Sequence, residues 1–158
     1  MKLKLTLLFL AVASIAMAQK KEMRKIERAI EKENFLEAFE VFNSIDENAV
    51  EDKYAGTYQF YKSAILVDLS GAKKASLEDL RAAEGALAQA KILEFDDSDL
   101  EASVENSIQI RKLEIANEKV AEGKFKIALL LVEELYASNP SNLDMLYNAG
   151  KLDYNNGL

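Results

Sequence analysis

The chain has 158 residues, of which 49% are apolar and 30% charged, and carries a net charge of −7. That is enough chain for one modest core, and the composition is too apolar for a disordered protein. Histidine and cysteine are both absent, which removes thiol nucleophiles, disulfides, imidazole bases and Cys/His zinc sites, and the acidity argues against nucleic acid, whose phosphates need clustered Lys and Arg.

A single proline and six glycines leave few breakers. Ala, Leu, Glu and Lys dominate, which favours an all-α protein. No stretch alternates apolar and polar residues long enough to compel a strand.

Met1 to Ala18 reads as a secretory signal peptide. Lys2 and Lys4 supply the positive start, Leu5 to Ala16 form a 12-residue apolar run, and Ala16-Met17-Ala18 sets up a cut between Ala18 and Gln19. The run falls short of the roughly 20 residues that a membrane span requires. The Ala-x-Ala-Gln ending resembles bacterial Sec signals, and no cysteine follows that would carry a lipoprotein anchor. The mature chain, 19–158, is therefore expected in the bacterial periplasm or outside the cell, without stable membrane insertion. It carries 18 basic and 27 acidic residues, a net of −9.

Lys20 to Glu33 is predicted as a first helix, with Met23, Ile26, Ala29 and Ile30 on one face. Lys20, Lys21, Arg24, Lys25 and Arg28 make a basic stretch along it. Glu22, Glu27 and Glu31 are interleaved with them, and pairing along an exposed helix is the expectation over contact with anionic lipid. Phe35 to Ile45 is a second helix, with Phe35, Ala38, Phe39, Phe42 and Ile45 inward. A third runs from Ala49 to Leu69, where Tyr54, Tyr58, Tyr61, Ile65 and Leu69 recur at steps of three and four. With Phe60, these tyrosines are the densest aromatic cluster, and core packing is expected over a binding patch.

Ser70 to Ala75 is a polar linker. Ser76 and Asp79 form a capping box, and a fourth helix runs to about Glu94 with Leu80, Ala83, Leu87, Ala90 and Leu93 as its apolar stripe. Gly85 interrupts it, facing either solvent or a closely packed neighbour. Asp96, Asp97 and Asp99 have the flavour of a calcium loop, but Leu100 and Glu101 occupy positions that loop gives to a ligand and to glycine, so a solvated turn is expected. Ser98 and Glu101 read as a second capping box. A fifth helix follows from about Asp99 to Glu122, with Val104, Ile108, Leu113, Ile115, Ala116 and Val120. A sixth runs from Lys124 to Ser138 and a seventh from Asn142 to about Asn155.

The stretch from Gly123 to Gly157 has a further regularity. Ala128 is followed four residues later by Val132 and eight after that by Pro140, a small Ala149-Gly150 pair follows, and Gly157 lies 34 residues after Gly123. This pattern resembles the tetratricopeptide repeat, whose period is 34. Ala38 and Phe42, and Ala83 and Leu87, keep the alanine-plus-four spacing. Alanines 38, 83 and 128 are separated by steps of 45, near the period of HEAT-type repeats. The proline and the Ala-Gly pair favour the tetratricopeptide alternative.

The resemblance implies a right-handed α-solenoid of antiparallel helix hairpins, at 20–46, 49–94 and 99–138, with a half repeat at 142–158. An unpaired last helix would leave Met145, Leu146, Ala149 and Leu152 partly uncovered, so a continuation past Leu158, or a partner at that end, is expected. In that family the first helix of each hairpin lines the concave groove. The implied groove residues are Asn117 and Val120, with Leu113 and Ala121, from the fifth helix, and Tyr147, Asn148, Lys151, Tyr154 and Asn155, with Asp144, from the seventh. Asn117 and Asn148 stand 31 apart, the spacing of the asparagines with which chaperone-binding members grip a peptide carboxylate. Leu113 replaces the lysine those members need four residues before the first asparagine, so another binding chemistry is expected.

No nucleophile stands beside a base, and Glu78-Asp79 and Glu133-Glu134 read as solvated faces. The sequence therefore points to no catalytic, cofactor or metal site. It points to a non-enzymatic protein- or peptide-binding scaffold exported to the cell envelope. The alternative is the recognition or regulatory part of a larger envelope enzyme, transport or assembly complex.

Overall fold

A computed structural model describes residues 20–32, 34–67, 75–138 and 140. The Ala18–Gln19 cut, linker residues 70–74 and the predicted seventh helix, with Tyr147, Asn148, Lys151, Tyr154 and Asn155, lie outside the described residues. Within them the protein is all-helical, with no strand. Helix α1 covers residues 20–31, α2 Phe35–Asn43, α3 Asp52–Val67, α4 Leu77–Ile92, α5 Ser98–Ala121 and α6 Phe125–Ser138. A single 3-10 turn, Glu47–Ala49, leads into α3, so that helix begins three residues later than its apolar pattern suggests.

Side chains fix where the helices start. The Asn34 side chain accepts from the Glu37 N–H at 3.3 Å. At α4 the predicted capping box is closed in both directions: the Ser76 hydroxyl accepts from the Asp79 N–H at 3.1 Å, and the Asp79 carboxylate accepts from the Ser76 N–H at 2.9 Å. The box predicted at Ser98 and Glu101 is not the cap of α5. Asp97 takes that role, accepting from the Leu100 N–H at 3.0 Å. A carboxylate complements the positive helix end better than a hydroxyl does, so the helix begins one residue earlier.

Two helices end on left-handed residues. After α5, Gly123 has φ +72° and lets the Lys124 N–H reach back to the Lys119 carbonyl at 2.8 Å. After α4 the same turn is made by Glu94, at φ +56°, with the Phe95 N–H on the Ala90 carbonyl at 3.0 Å. Leu93, predicted on the apolar stripe, sits at this turn and is 44% exposed.

The apolar faces meet in two clusters. In one, Met23, Ile26 and Ala29 of α1 join Ala38 of α2 and Tyr58 and Ile65 of α3. In the other, α3 and α4 pack through Phe60, Ala64, Leu80, Ala83 and Leu87, and continue onto Val104, Ile108 and Ile115 of α5 and Ala128, Leu131 and Val132 of α6. Most of the alanine-plus-four residues are in these cores: Ala38, Ala83, Leu87, Ala128 and Val132 are buried, while Phe42 is half-buried against Tyr58. Small residues let helices approach, and large ones four later fill the gap beside them.

The glycines divide sharply. Gly85 faces open space. Gly56, buried near the start of α3, lies under the turn that ends α4, where a Cβ would stand 2.9 Å from the Leu93 carbonyl oxygen. That contact puts the start of α3 beside the end of α4, so the two run antiparallel. Ion pairs Lys91–Glu105 and Lys112–Glu84 set α5 antiparallel to α4 in turn, so α3 and α5 run the same way. Among the described helices, α5 touches α3, α4 and α6.

Candidate binding groove

A groove of about 310 Å³ runs across α1, α3 and α5. It is lined by Glu27, Ile30 and Glu31 from α1, by Phe60, Tyr61 and Ala64 from α3, and by Leu100, Ser103, Val104 and Ser107 from α5. Phe60, Ala64 and Val104 belong to the buried core and form an apolar floor. The rim is polar and accessible: Glu27, Glu31 and Ser103 are exposed. Leu100 is 47% exposed, an apolar side chain held at the groove edge.

The aromatic cluster of α3 separates by face. Tyr58 is buried and stacks on Phe42, with ring centroids 4.7 Å apart. Phe60 is buried and stacks on Phe95 at 4.2 Å. Tyr61 is half-buried and turns into the groove. Burial, with the charges of Glu27 and Glu31 behind it, pushes its hydroxyl up to about 12. Tyr61 therefore stays a neutral O–H donor beside two carboxylates at any ordinary pH. The core expectation thus holds for Tyr58 and Phe60, while Tyr61 is a groove residue whose role depended on a neighbour 30 to 34 positions earlier in the chain.

Glu27 and Glu31 have no ion-pair partner among the described residues. The pairing expected along α1 is not formed, and the register explains why. At four-residue steps like follows like, as in Lys20–Arg24–Arg28, Lys21–Lys25 and Glu27–Glu31. Acids meet bases only three residues apart, and those contacts stay open.

Of the residues that the repeat resemblance placed in a groove, Asn117 and Val120 are on α5 and exposed, nearer its C-terminal end than Leu100 to Ser107. They do not line the groove above. Leu113, half-buried, and Ala121, exposed, are on the same helix and are likewise absent from the groove lining, while Asp144, Tyr147, Asn148, Lys151, Tyr154 and Asn155 lie outside the described residues. What the sequence reading missed is the N-terminal half of α5, and the signal was an exposed Leu100 in an acidic turn.

On the other side of α5 the polar chemistry is closed on itself. Lys112, buried apart from 7% of its surface, pairs with Glu84 and, at 3.0 Å, with Glu134. Arg81 pairs with the same two glutamates, at 2.8 and 2.6 Å. This alternating quartet ties α4, α5 and α6 together. Arg111 beside it donates to the Ala75 carbonyl at 2.8 Å and to Glu114 and Glu118. A depression of about 370 Å³ there is bordered by Glu84, Lys112 and the Lys91–Glu105 pair, charges that already satisfy one another. Among the described residues no group of acids could hold a metal ion.

No family model, no curated protein and no solved structure matches this chain.

Proposed function

We propose that this protein is a non-enzymatic, tetratricopeptide-like scaffold, exported to the bacterial cell envelope, whose groove binds a peptide or protein segment. The observation that carries the reading is that one groove is lined by α1, α3 and α5, which are the first helices of the three hairpins that the repeat resemblance implies. That is the side on which repeat proteins of this kind bind. The apolar leader at 1–18 supports export. The groove's chemistry narrows the ligand. An apolar floor, a neutral Tyr61 hydroxyl and two carboxylates without an ion-pair partner among the described residues suit a segment with a large apolar side chain beside a lysine or arginine.

Photo-crosslinking in cells tests this. A photoreactive residue at Leu100 or Ser103, on the rim, should give discrete protein adducts in the envelope fraction. The same residue at Ala82, exposed on α4, should give none. Changing Glu27 and Glu31 to lysine should weaken the rim adducts. Equal adducts from Ala82, or none from either rim position, would overturn the proposal.

A further inference from the structure

The outward face of α1 is built differently from the rest of the molecule. At 100° per residue, Lys20, Arg24, Arg28 and, in the turn just after the helix, Lys32 form one row and Lys21 and Lys25 a second, within a sector of roughly 140° that holds one acid, Glu31. All six are exposed. The opposite side carries Met23, Ile26 and Ala29, which are buried, so the cationic face points away from the core. Residues 20–32 hold six bases against three acids, a charge of +3, whereas the remaining described residues hold nine bases against twenty acids, −11.

Pairing separates the two regions further. Of those nine bases, eight have a carboxylate within ion-pair distance: Lys53, Lys62, Arg81, Lys91, Arg111, Lys112, Lys119 and Lys124. Among the described residues none of the six on α1 has one. Like charges at four-residue spacing repel along a helix, and among the described residues no ion pair offsets them.

We infer that this face is a peripheral docking surface for an anionic phospholipid bilayer. The face is one exposed helix with two rows of charge, and the recess on it is lined by Lys20, Lys21, Arg24, Lys25 and Arg28, bases alone. A plane of headgroups meets both rows at once while staying clear of the acidic body, which would repel an acidic protein approaching over a wider area. No described helix is long and apolar enough to cross a membrane, so the contact is one of charge. A basic cluster on a helix surface has this affinity for anionic headgroups.

The test is vesicle co-sedimentation of the protein as isolated from cells, its N-terminus first read by mass spectrometry. Vesicles of phosphatidylcholine alone are compared with vesicles containing about one third phosphatidylglycerol, at about 0.05 M and about 0.5 M salt. The quantity scored is the excess of anionic over neutral binding, to which any retained apolar leader adds equally. Wild type should show an excess at low salt that disappears at high salt. Each base near an anionic surface contributes about a fivefold factor, so K21Q/R24Q/K25Q/R28Q should lose at least about a hundredfold, while K126Q loses nothing and circular dichroism confirms that both variants are folded. Wild type without an excess, or the quadruple variant retaining it, overturns the inference. Salt-sensitive capture on immobilised poly-glutamate without vesicle binding also overturns it, in favour of an acidic protein segment.

Discussion

Gly56→Ala and Gly85→Ala are the same chemical change within two helices, and they should move stability in opposite directions. In a helix interior alanine is favoured over glycine by up to about 1 kcal/mol. At Gly85 nothing lies within 4 Å of the added methyl, so the variant should gain about 0.5–1 kcal/mol. At Gly56 the methyl would stand 2.9 Å from the Leu93 carbonyl oxygen, where ordinary contacts begin at 3.4 Å. The 0.5 Å overlap is with backbone, which cannot rotate aside. It can be relieved only by parting α3 from α4 or by shifting the Leu93–Phe95 turn, which is fixed by the Phe95–Ala90 hydrogen bond and the Phe60–Phe95 stack. Overpacking of this kind costs about 1–3 kcal/mol. Offset by the propensity gain, Gly56→Ala should lose about 1–2 kcal/mol and end about 2–3 kcal/mol below Gly85→Ala. Urea unfolding followed by far-ultraviolet circular dichroism reads both, provided the slopes agree. If the two variants are equally stable, the close approach of α3 to the α4 turn is wrong.

Four further outcomes are expected. Lys112→Met should cost about 2–3 kcal/mol in the same assay, because Glu84 and Glu134 would face each other with only Arg81 between them. Hydrogen bonds from Arg81 and then Lys112 hold the Glu134 carboxyl below its ordinary value of 4.5. Its contribution is therefore present above that pH and lost as pH falls further, so Glu134→Gln should flatten the acid limb of the stability profile below about 4.5. Burial pushes Tyr58 and Tyr61 from 10 to about 12. A raised tyrosine stabilises the fold below pH 10 and loses that contribution as pH climbs toward 12. These two tyrosines should titrate late by ultraviolet absorbance, and stability should fall across that window. Finally, Glu94→Gly should gain up to about 1 kcal/mol, since the left-handed turn costs a non-glycine residue about that much; a loss would mean that the Glu94 side chain holds the turn.

The fold class was legible because helix signals are local. The capping box at Ser76, the glycine turn at Gly123 and the alanine-plus-four pairs lie within a few residues of what they determine. The cap of α5 slipped by one residue because two acceptors stood next to each other and only their competition decides. The groove was less legible. Tyr61 looks like Tyr58 in the sequence, and the difference is made by Glu27, Glu31 and Leu100 arriving from other helices. Gly56 was likewise silent: its neighbour is a carbonyl 37 residues away, and a backbone atom leaves no mark in a pattern of side chains. Lys112 looks like any surface lysine until α4 and α6 each bring a glutamate to it.

The quartet of Arg81, Glu84, Lys112 and Glu134 has a consequence for how the protein could be handled and regulated. Its four charges sum to zero, its partners are in contact, and its central lysine is shielded from solvent. Screening acts over about 10 Å at 0.1 M salt and about 3 Å at 1 M, so it weakens charges that reach outward far more than charges already touching. The molecule thus has two electrostatic systems with different sensitivity to ionic strength. Changing the medium should adjust what α1 attracts while leaving the register of α4, α5 and α6 untouched.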